Sequence, residues 1–419
     1  MKLHRTLLIV IGGLFPVESA IAADWPSVMG PNGNRKTSGL APASWSGPPR
    51  KVWEIPAGGG FSSFVTGDGR AYTVVPVRGR ETVVAVDRQT GKFAWQTQLG
   101  VARYREGGDQ GASGNTGGDG PRATPVFAGG RIFVFGGQFD LHALDSATGR
   151  VLWKRDLIQE FGGRELIWSN AASPLVLGER VLVAGGGRGQ AFLALRADTG
   201  EVIWKTGHDL PTHATPIAAT LHGKEQVLFL MQRGVVALDP SDGRELWHYP
   251  FPHRTATAAS PVVWQDIVNV SASYGVGGAA FKVVRTGDRW DTEELWRRPG
   301  DRETAAHWST AVVHEGYLYG CYGRARESHG RGPFKCIDIR TGKVMWQQDG
   351  FGPSQVIMVD NRLVATTDAG RLVIIEPSAS GYRELASAKV IDGKVWGSPA
   401  FSDGQILLRS TKKGVCLEF

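Results

Sequence analysis

Cysteine is scarce: 419 residues hold three, Cys321, Cys336 and Cys416, and no two are adjacent. A fold built on disulfides is thereby excluded, since at most one intramolecular bridge can form. None of the spacings matches a zinc site. Long hydrophobic runs are missing as well. The run from Leu7 to Phe15 is too short to span a bilayer, and no later stretch reaches the ~18 apolar residues that a transmembrane helix needs. Charge is sparse at 21% Asp, Glu, Lys and Arg. The basic residues are scattered rather than gathered into an arm, which argues against nucleic acid as a partner. Also absent are the Gly-x-Ser-x-Gly elbow, the His-Glu-x-x-His zinc motif and a P-loop.

Glycine and tryptophan, by contrast, are plentiful. The 57 Gly are about double the usual ~7%, and 14 Trp is high for this length. Many short strands joined by tight turns are expected. Residues 1–22 read as an export leader: Lys2 and Arg5 precede the Leu7 to Phe15 run, and Ala20-Ile21-Ala22 offers a cleavage point. Its removal takes away Lys2, Arg5 and Glu18 and lowers the formal charge from +7 to +6. No cysteine follows the leader, so the expected product is periplasmic or secreted and is not a lipoprotein. Residues 23–419 are expected to form a single domain and a monomer.

One unit recurs along that domain. It reads Ala85-Val-Asp87-Arg-Gln-Thr90-Gly91-Lys-Phe-Ala-Trp95 and again Ala143-Leu-Asp145-Ser-Ala-Thr148-Gly149-Arg-Val-Leu-Trp153. Further copies end at Trp204, Trp247 and Trp346. A stretched copy around Thr286-Gly287 ends at Trp296, and an eroded one runs through Gly381 with Leu385 where Trp would stand. The Asp side chain can accept backbone N–H bonds in the turn, and Gly supplies the positive φ that a tight hairpin requires. The Trp then projects from the returning strand as a flat plate suited to the gap between neighbouring sheets. With Trp53, seven tryptophans (Trp53, Trp95, Trp153, Trp204, Trp247, Trp296 and Trp346) are expected to be structural docking residues.

Upstream of these units, Thr124-Pro125, Ser173-Pro174, Thr215-Pro216, Ser260-Pro261 and Ser398-Pro399, with Ser63, Thr310 and Ser354, each open a short apolar strand. Eight such starts are each followed by further strands, such as Arg131 to Phe135 or Tyr317 to Cys321, which makes four strands per unit. Val415-Cys416-Leu417-Glu418-Phe419 stops where an Asp turn would begin, whereas Arg50-Lys51-Val52-Trp53-Glu54 carries a docking Trp with no turn before it. Pairing the two ends completes an eighth unit. The fold class expected is all-β: an eight-bladed β-propeller of four-stranded antiparallel blades, closed by its amino- and carboxy-terminal strands.

The Ala-x-Asp-x-x-Thr-Gly-x-x-x-Trp unit resembles the tryptophan-docking motif of PQQ-like, quinoprotein-type propellers. Asp24-Trp25-Pro26, Gly30-Pro31-Asn32-Gly33 and Gly120-Pro121-Arg122-Ala123-Thr124-Pro125 are similar to exported proteins of that superfamily. The resemblance implies one of two functions. One is a non-catalytic binding scaffold like BamB, with no cofactor and with an exported or envelope protein, or a small or saccharide ligand, at one propeller face. The alternative is a PQQ-dependent dehydrogenase of alcohols or sugars, in which PQQ lies between a Trp face and a vicinal Cys-Cys disulfide beside calcium, with an Asp as base. No adjacent Cys pair exists here, and no matching set of calcium ligands can be placed, so the scaffold is the expected function.

Several residues precede strand starts, where eight blades converge on one mouth: Arg122, Trp168, His213, His253, Arg254, His307, Trp308 and Trp396. Arg103 and Tyr104 begin a Gly-rich loop, residues 99–120, expected to lie over that mouth. Together they suggest an aromatic and cationic surface for an anionic or sugar-like ligand. No catalytic or metal-binding residue is assigned. Asp109, Asn115 and Asp119 are spaced unlike an EF-hand and read as loop residues. For the cysteines, either Cys321 bridges Cys336 or all three stay as buried free thiols.

Overall fold

The computed structural model describes residues 24–39, 47–102, 104, 120–323 and 331–419; the leader, Arg103, Asp109, Asn115 and Asp119 lie outside them. The described chain forms eight antiparallel four-stranded sheets arranged as propeller blades. Blade 1 runs from Val65–Gly67 through Arg70–Val77 and Arg80–Asp87 to Phe93–Val101. Blades 2 to 7 follow in chain order with the same up-and-down connection. Blade 8 takes three strands from the end of the chain and its outermost, Arg50–Pro56, from the beginning, with Arg50 opposite Glu418 and Trp53 opposite Cys416. The strand clasp expected from the two ends is present.

Each turn is built as its residues dictate. Asp87 Oδ1 accepts from the backbone N–H of Thr90 at 2.8 Å and its hydroxyl at 2.7 Å, and Asp145 with Thr148 repeats this at 2.8 Å for both bonds. Gly91, Gly149, Gly200, Gly243 and Gly342 all have φ between 69° and 76°. They have a second duty that the turn alone does not reveal. A Cβ on Gly149 would lie 2.5 Å from the Trp95 ring, one on Gly200 2.7 Å from Trp153, and one on Gly91 2.6 Å from Trp53. Each indole lies flat on the bare glycine of the following blade and donates its N–H to a turn carbonyl there: Trp95 to Ser146 at 2.9 Å, Trp153 to Ala197 at 3.0 Å, Trp204 to Pro240 at 3.1 Å.

Two exceptions have a common cause. Blade 5 replaces its turn by the long hairpin Gly277–Thr286 and Arg289–Arg298, and Trp247 of blade 4 instead donates to Gln226 Oε1 within its own sheet at 2.7 Å. Blade 8 has no such turn at all, because its last two strands come from opposite ends of the chain. Blade 7 accordingly carries no Trp. Its register also corrects the sequence reading: Ala386, not Leu385, stands opposite Ile374 in the docking position, and Leu385 is the bulged residue before it. The same one-residue shift precedes Trp in the other outer strands, which raises local twist just where the plate must turn toward its neighbour.

The register also explains the first residue of the unit. Ala85, Ala143, Ala194, Ala237 and Ala280 each lie directly across from the docking Trp of their own blade. Cys336 occupies this slot opposite Trp346, and Cys416 opposite Trp53. These two are small apolar fillers. The alternative of a Cys321–Cys336 bridge is not met: Cys336 faces Tyr319 and Cys321 faces Phe334, a diagonal of about 7–8 Å that exceeds disulfide reach. All three thiols are free and buried.

The apolar core is distributed as layers between facing sheets. Phe133, Leu141, Ala143 and Trp153 of blade 2, for example, meet Val181, Val183, Leu193 and Leu195 of blade 3. Inside this ring runs the segment 24–37. Trp25, wholly buried, exchanges bonds with Thr66 of blade 1, and Pro26 accepts from Phe127 N–H of blade 2 at 2.8 Å. Met29 packs among blades 4 and 5. Lys36–Thr37 then adds a fifth, parallel strand to the inner edge of blade 7. The segment therefore crosses the channel, with one cavity on either side of it.

Candidate functional site at the channel mouth

The strand starts form the wall of one cavity of about 200 Å³, floored by Val28, Met29 and Arg35 of the crossing segment. Its belt is made of hydroxyls. Ser63 N–H donates to Thr124 Oγ1 at 3.0 Å, Thr124 N–H to Ser173 Oγ at 3.1 Å, and Ser173 N–H to Thr215 Oγ1 at 3.0 Å. Ser260 N–H donates to Thr310 Oγ1 at 3.0 Å, and Ser398 N–H closes back on Ser63 Oγ at 2.7 Å. At these five strand starts the backbone donor is thus satisfied by a hydroxyl of the next blade, which accounts for Ser or Thr there, whereas Ser354 N–H turns back to the Gly352 carbonyl at 3.0 Å. The proline after it was legible from sequence; the bond between blades was not.

Above the belt, aromatic rings follow one another around the rim. Phe61 packs 4.7 Å from Trp396, Trp396 4.2 Å from Trp308, and Trp308 4.2 Å from His307. His307 then meets Tyr274 edge-on at 4.9 Å, and Trp168 lies 6.2 Å from Tyr274 and 6.5 Å from His213. Lys394 sits over the Trp396 ring at 4.5 Å. Trp168, Ser169 and Tyr274 hold left-handed backbone, with φ of 66°, 61° and 63°. Such strain in non-glycine residues collects where side chains must be held in place. Trp168 reaches the rim on the segment after the short helix Leu157–Phe161, which Asp156 caps and Gly162 ends.

Of the residues expected at the mouth, Arg122, Trp168, His213, His307, Trp308 and Trp396 line this cavity. Tyr104 lies just behind it, buried, with the Arg122 guanidinium 4.3 Å from its ring centre. Arg103 is outside the described residues. His253 and Arg254 are not brought into the lining: His253 Nδ1 pairs with Thr257 Oγ1 at 3.1 Å, and exposed Arg254 reaches only the Tyr274 carbonyl at 3.5 Å. They precede their strand start by more residues than the others and stand beside the lining residues rather than among them. Sequence reasoning missed Phe61, Tyr274 and above all Arg35, whose contribution depends on the crossing segment.

The electrostatics are one-sided. Among the described residues lining the cavity there is no Asp or Glu, while Arg35 and Arg122 both face it. Behind Arg122, the hydroxyl of Tyr104 bonds Glu81 Oε1, and Gly137 N–H also points at that carboxyl. Burial holds Glu81 at about 7, and Asp140 nearby pushes the same way. His213 donates from Nε2 to the Ile167 carbonyl at 2.9 Å, and burial lowers its pKa to about 4, so it is neutral at pH 7.

Residues 79–320, more than half of the chain, match the family described as outer membrane protein assembly factor BamB. The chain belongs to the BamB family. BamB of Burkholderia pseudomallei (strain K96243) is 26% identical over 296 residues, covering 59% of this chain and 68% of that protein. A polyvinylalcohol dehydrogenase of Sphingopyxis sp. (strain 113P3) is 25% identical over 350 residues, 64% of this chain, and the match spans only 51% of the enzyme. Among solved structures, BamB from Moraxella catarrhalis superposes with a TM-score of 0.59, 17% identity and coverage of 88% of this chain and 97% of that one. The quinohemoprotein alcohol dehydrogenase of Comamonas testosteroni gives 0.66 at 15% identity, over 94% of this chain and 80% of that one. At such identities these two structures speak for the fold alone. The BamB-family propeller is thus related to binding scaffolds and to dehydrogenases alike.

The residues present decide poorly in favour of PQQ with calcium. A calcium ion prefers carboxylate oxygens, and the described lining offers none. No three His, Cys, Asp or Glu side chains are gathered for a metal among the described residues. The cysteines are separated in sequence and buried between blades. Among the described residues, this donor set does not fit the dehydrogenase arrangement.

Proposed function

We propose that this chain is an exported, non-catalytic propeller that binds a protein or small ligand at the mouth formed by its strand starts. The observation that carries this reading is the mouth itself: two arginines, a neutral histidine and a run of stacked rings around one cavity whose described lining holds no carboxylate. Such a surface binds through stacking and cationic contacts. Kinship with BamB supports an envelope protein as the partner. The test is affinity capture from an envelope extract with the full mature chain and with the double variant Arg122→Gln, Trp308→Ala. A partner held by the first and lost by the second is expected; equal capture by both overturns the use of this face.

The polyvinylalcohol dehydrogenase relative favours one second reading, a PQQ-dependent oxidation of alcohols or sugars. Titration with PQQ and Ca²⁺, followed by quinone absorbance and dye-linked turnover, tests it. Stoichiometric binding with turnover overturns the scaffold reading.

A further inference from the structure

Arg35 is 2% exposed and makes no ion pair among the described residues. Its Nε donates to the Val356 carbonyl at 3.0 Å, and Nη2 donates to Gln355 Oε1 at 3.1 Å and Ser398 Oγ at 2.8 Å. Those acceptors are all neutral, and Nη1 makes no hydrogen bond among the described residues. Burying a cation without a counter-charge is costly. The backbone is strained in addition, since Arg35 holds φ at 64°. A residue kept at such cost on the floor of a cavity is oriented for something that enters the cavity.

Two further polar atoms on the same wall lack partners, and they have opposite needs. Trp396 is 6% exposed and its Nε1–H donates to nothing among the described residues. His213 is also 6% exposed, and its Nδ1 has no partner there. Because Nε2 gives its proton to the Ile167 carbonyl, Nδ1 of the neutral ring is an acceptor and requires a hydroxyl or N–H donor. The guanidinium and the indole require acceptors. A ligand that satisfies all three carries an anionic group and hydroxyls on one body. Trp308 is sandwiched between His307 and Trp396, whereas half-buried Trp168, its nearest rings more than 6 Å away, offers a flat face for that body. The cavity, about 200 Å³, falls below the ~300 Å³ at which drug-sized sites begin, so the bound part is a single ring.

We propose that the mouth binds a sugar acid of the hexuronate class, its carboxylate between Arg35 and Arg122, a hydroxyl on His213 Nδ1, and its ring against Trp168. This rests on the reading of the mouth as a binding site. The carboxylate matches the planar fork of an arginine better than a point charge does. The hydroxyl bond excludes a plain aromatic acid.

The experiment is calorimetric titration of the full mature chain with D-galacturonate, D-galactose and benzoate at pH 7. Galacturonate is expected to bind at least about tenfold more tightly than either of the others, the worth of one charge-assisted hydrogen bond. Arg35→Met is expected to bring galacturonate down to the level of galactose. Equal affinities for galacturonate and galactose, equal affinities for galacturonate and benzoate, or no heat with galacturonate at millimolar concentration would each overturn the proposal. Should Arg35→Met not fold, the wild-type ratios still decide, and Trp396→Phe, which keeps the plate and loses the N–H, must weaken galacturonate. A protein partner captured through this face alongside an absence of galacturonate binding removes the sugar acid and leaves the scaffold reading standing.

Discussion

Replacing Trp153 by Ala removes a plate that is 9% exposed, seated on Gly200, packed 6.0 Å from Phe133 and bonded to the Ala197 carbonyl at 3.0 Å. Blades 2 and 3 meet over this side chain, and glycine cannot fill the space it leaves. A large-to-small change of this kind costs about 3–5 kcal/mol, of which roughly 1 kcal/mol is the lost hydrogen bond. Unfolding entropy is about 2.1 cal/mol/K per residue, hence about 0.8 kcal/mol/K for roughly 400 residues, and ~4 kcal/mol then lowers Tm by ~5 °C. Differential scanning calorimetry at fixed pH reads this directly. Trp153→Phe keeps most of the plate and loses the N–H, so it should fall by only ~1–2 °C. A Tm for Trp153→Ala within 1 °C of the parent, or a Phe variant as damaged as the Ala variant, would falsify the docking role.

Thr124→Val strips the acceptor from Ser63 N–H and leaves a buried donor unmade, a loss of about 1–3 kcal/mol; Thr124→Ser should be near neutral, and urea melts of the two variants separate a hydroxyl effect from a packing effect. Glu81, raised from 4.5 to about 7 by burial, holds its proton more tightly when folded. Its contribution is complete below about 4.5 and lost as pH rises to about 7. The Tm of Glu81→Gln relative to the parent should therefore climb across that window; a constant difference contradicts it. Deleting residues 24–56 takes away the outer strand of blade 8 together with the channel-crossing segment, and small-angle scattering should report a larger radius; an unchanged compact particle refutes closure by the two ends.

How much of this was written in the sequence depends on whether a residue acts within one blade or between several. The Asp-Thr-Gly turn is local, so its spacing disclosed the blade, and the unmatched ends at Arg50 and Glu418 disclosed the closure. The Ala opposite Trp was visible as a repeated letter, yet its purpose emerges only from the register, which also shows why Cys336 and Cys416 take its place. Arg35 carries no motif. It belongs to the mouth because residues 24–37 pass through the ring, and nothing in local spacing reports a path across a channel. His253 and Arg254 illustrate the converse: nearness in sequence to a strand start suggested the mouth, yet neither enters the cavity lining.

The strand clasp also sets an order of events. Arg50 and Glu418, which pair across blade 8, are 368 positions apart, so the ring stays open until nearly the whole chain has been made. Until then blade 8 presents a bare sheet edge, and the segment 24–37 has no channel to cross. Closure entropy rises only slowly with length, but pairing at such separation makes folding slow. Once the last strand has docked, the same topology works in reverse. Opening the ring at blade 8 means breaking the clasp, and blade 7 cannot leave without stripping Lys36–Thr37 from its inner edge; such topology favours resistance to unfolding that is kinetic as well as thermodynamic.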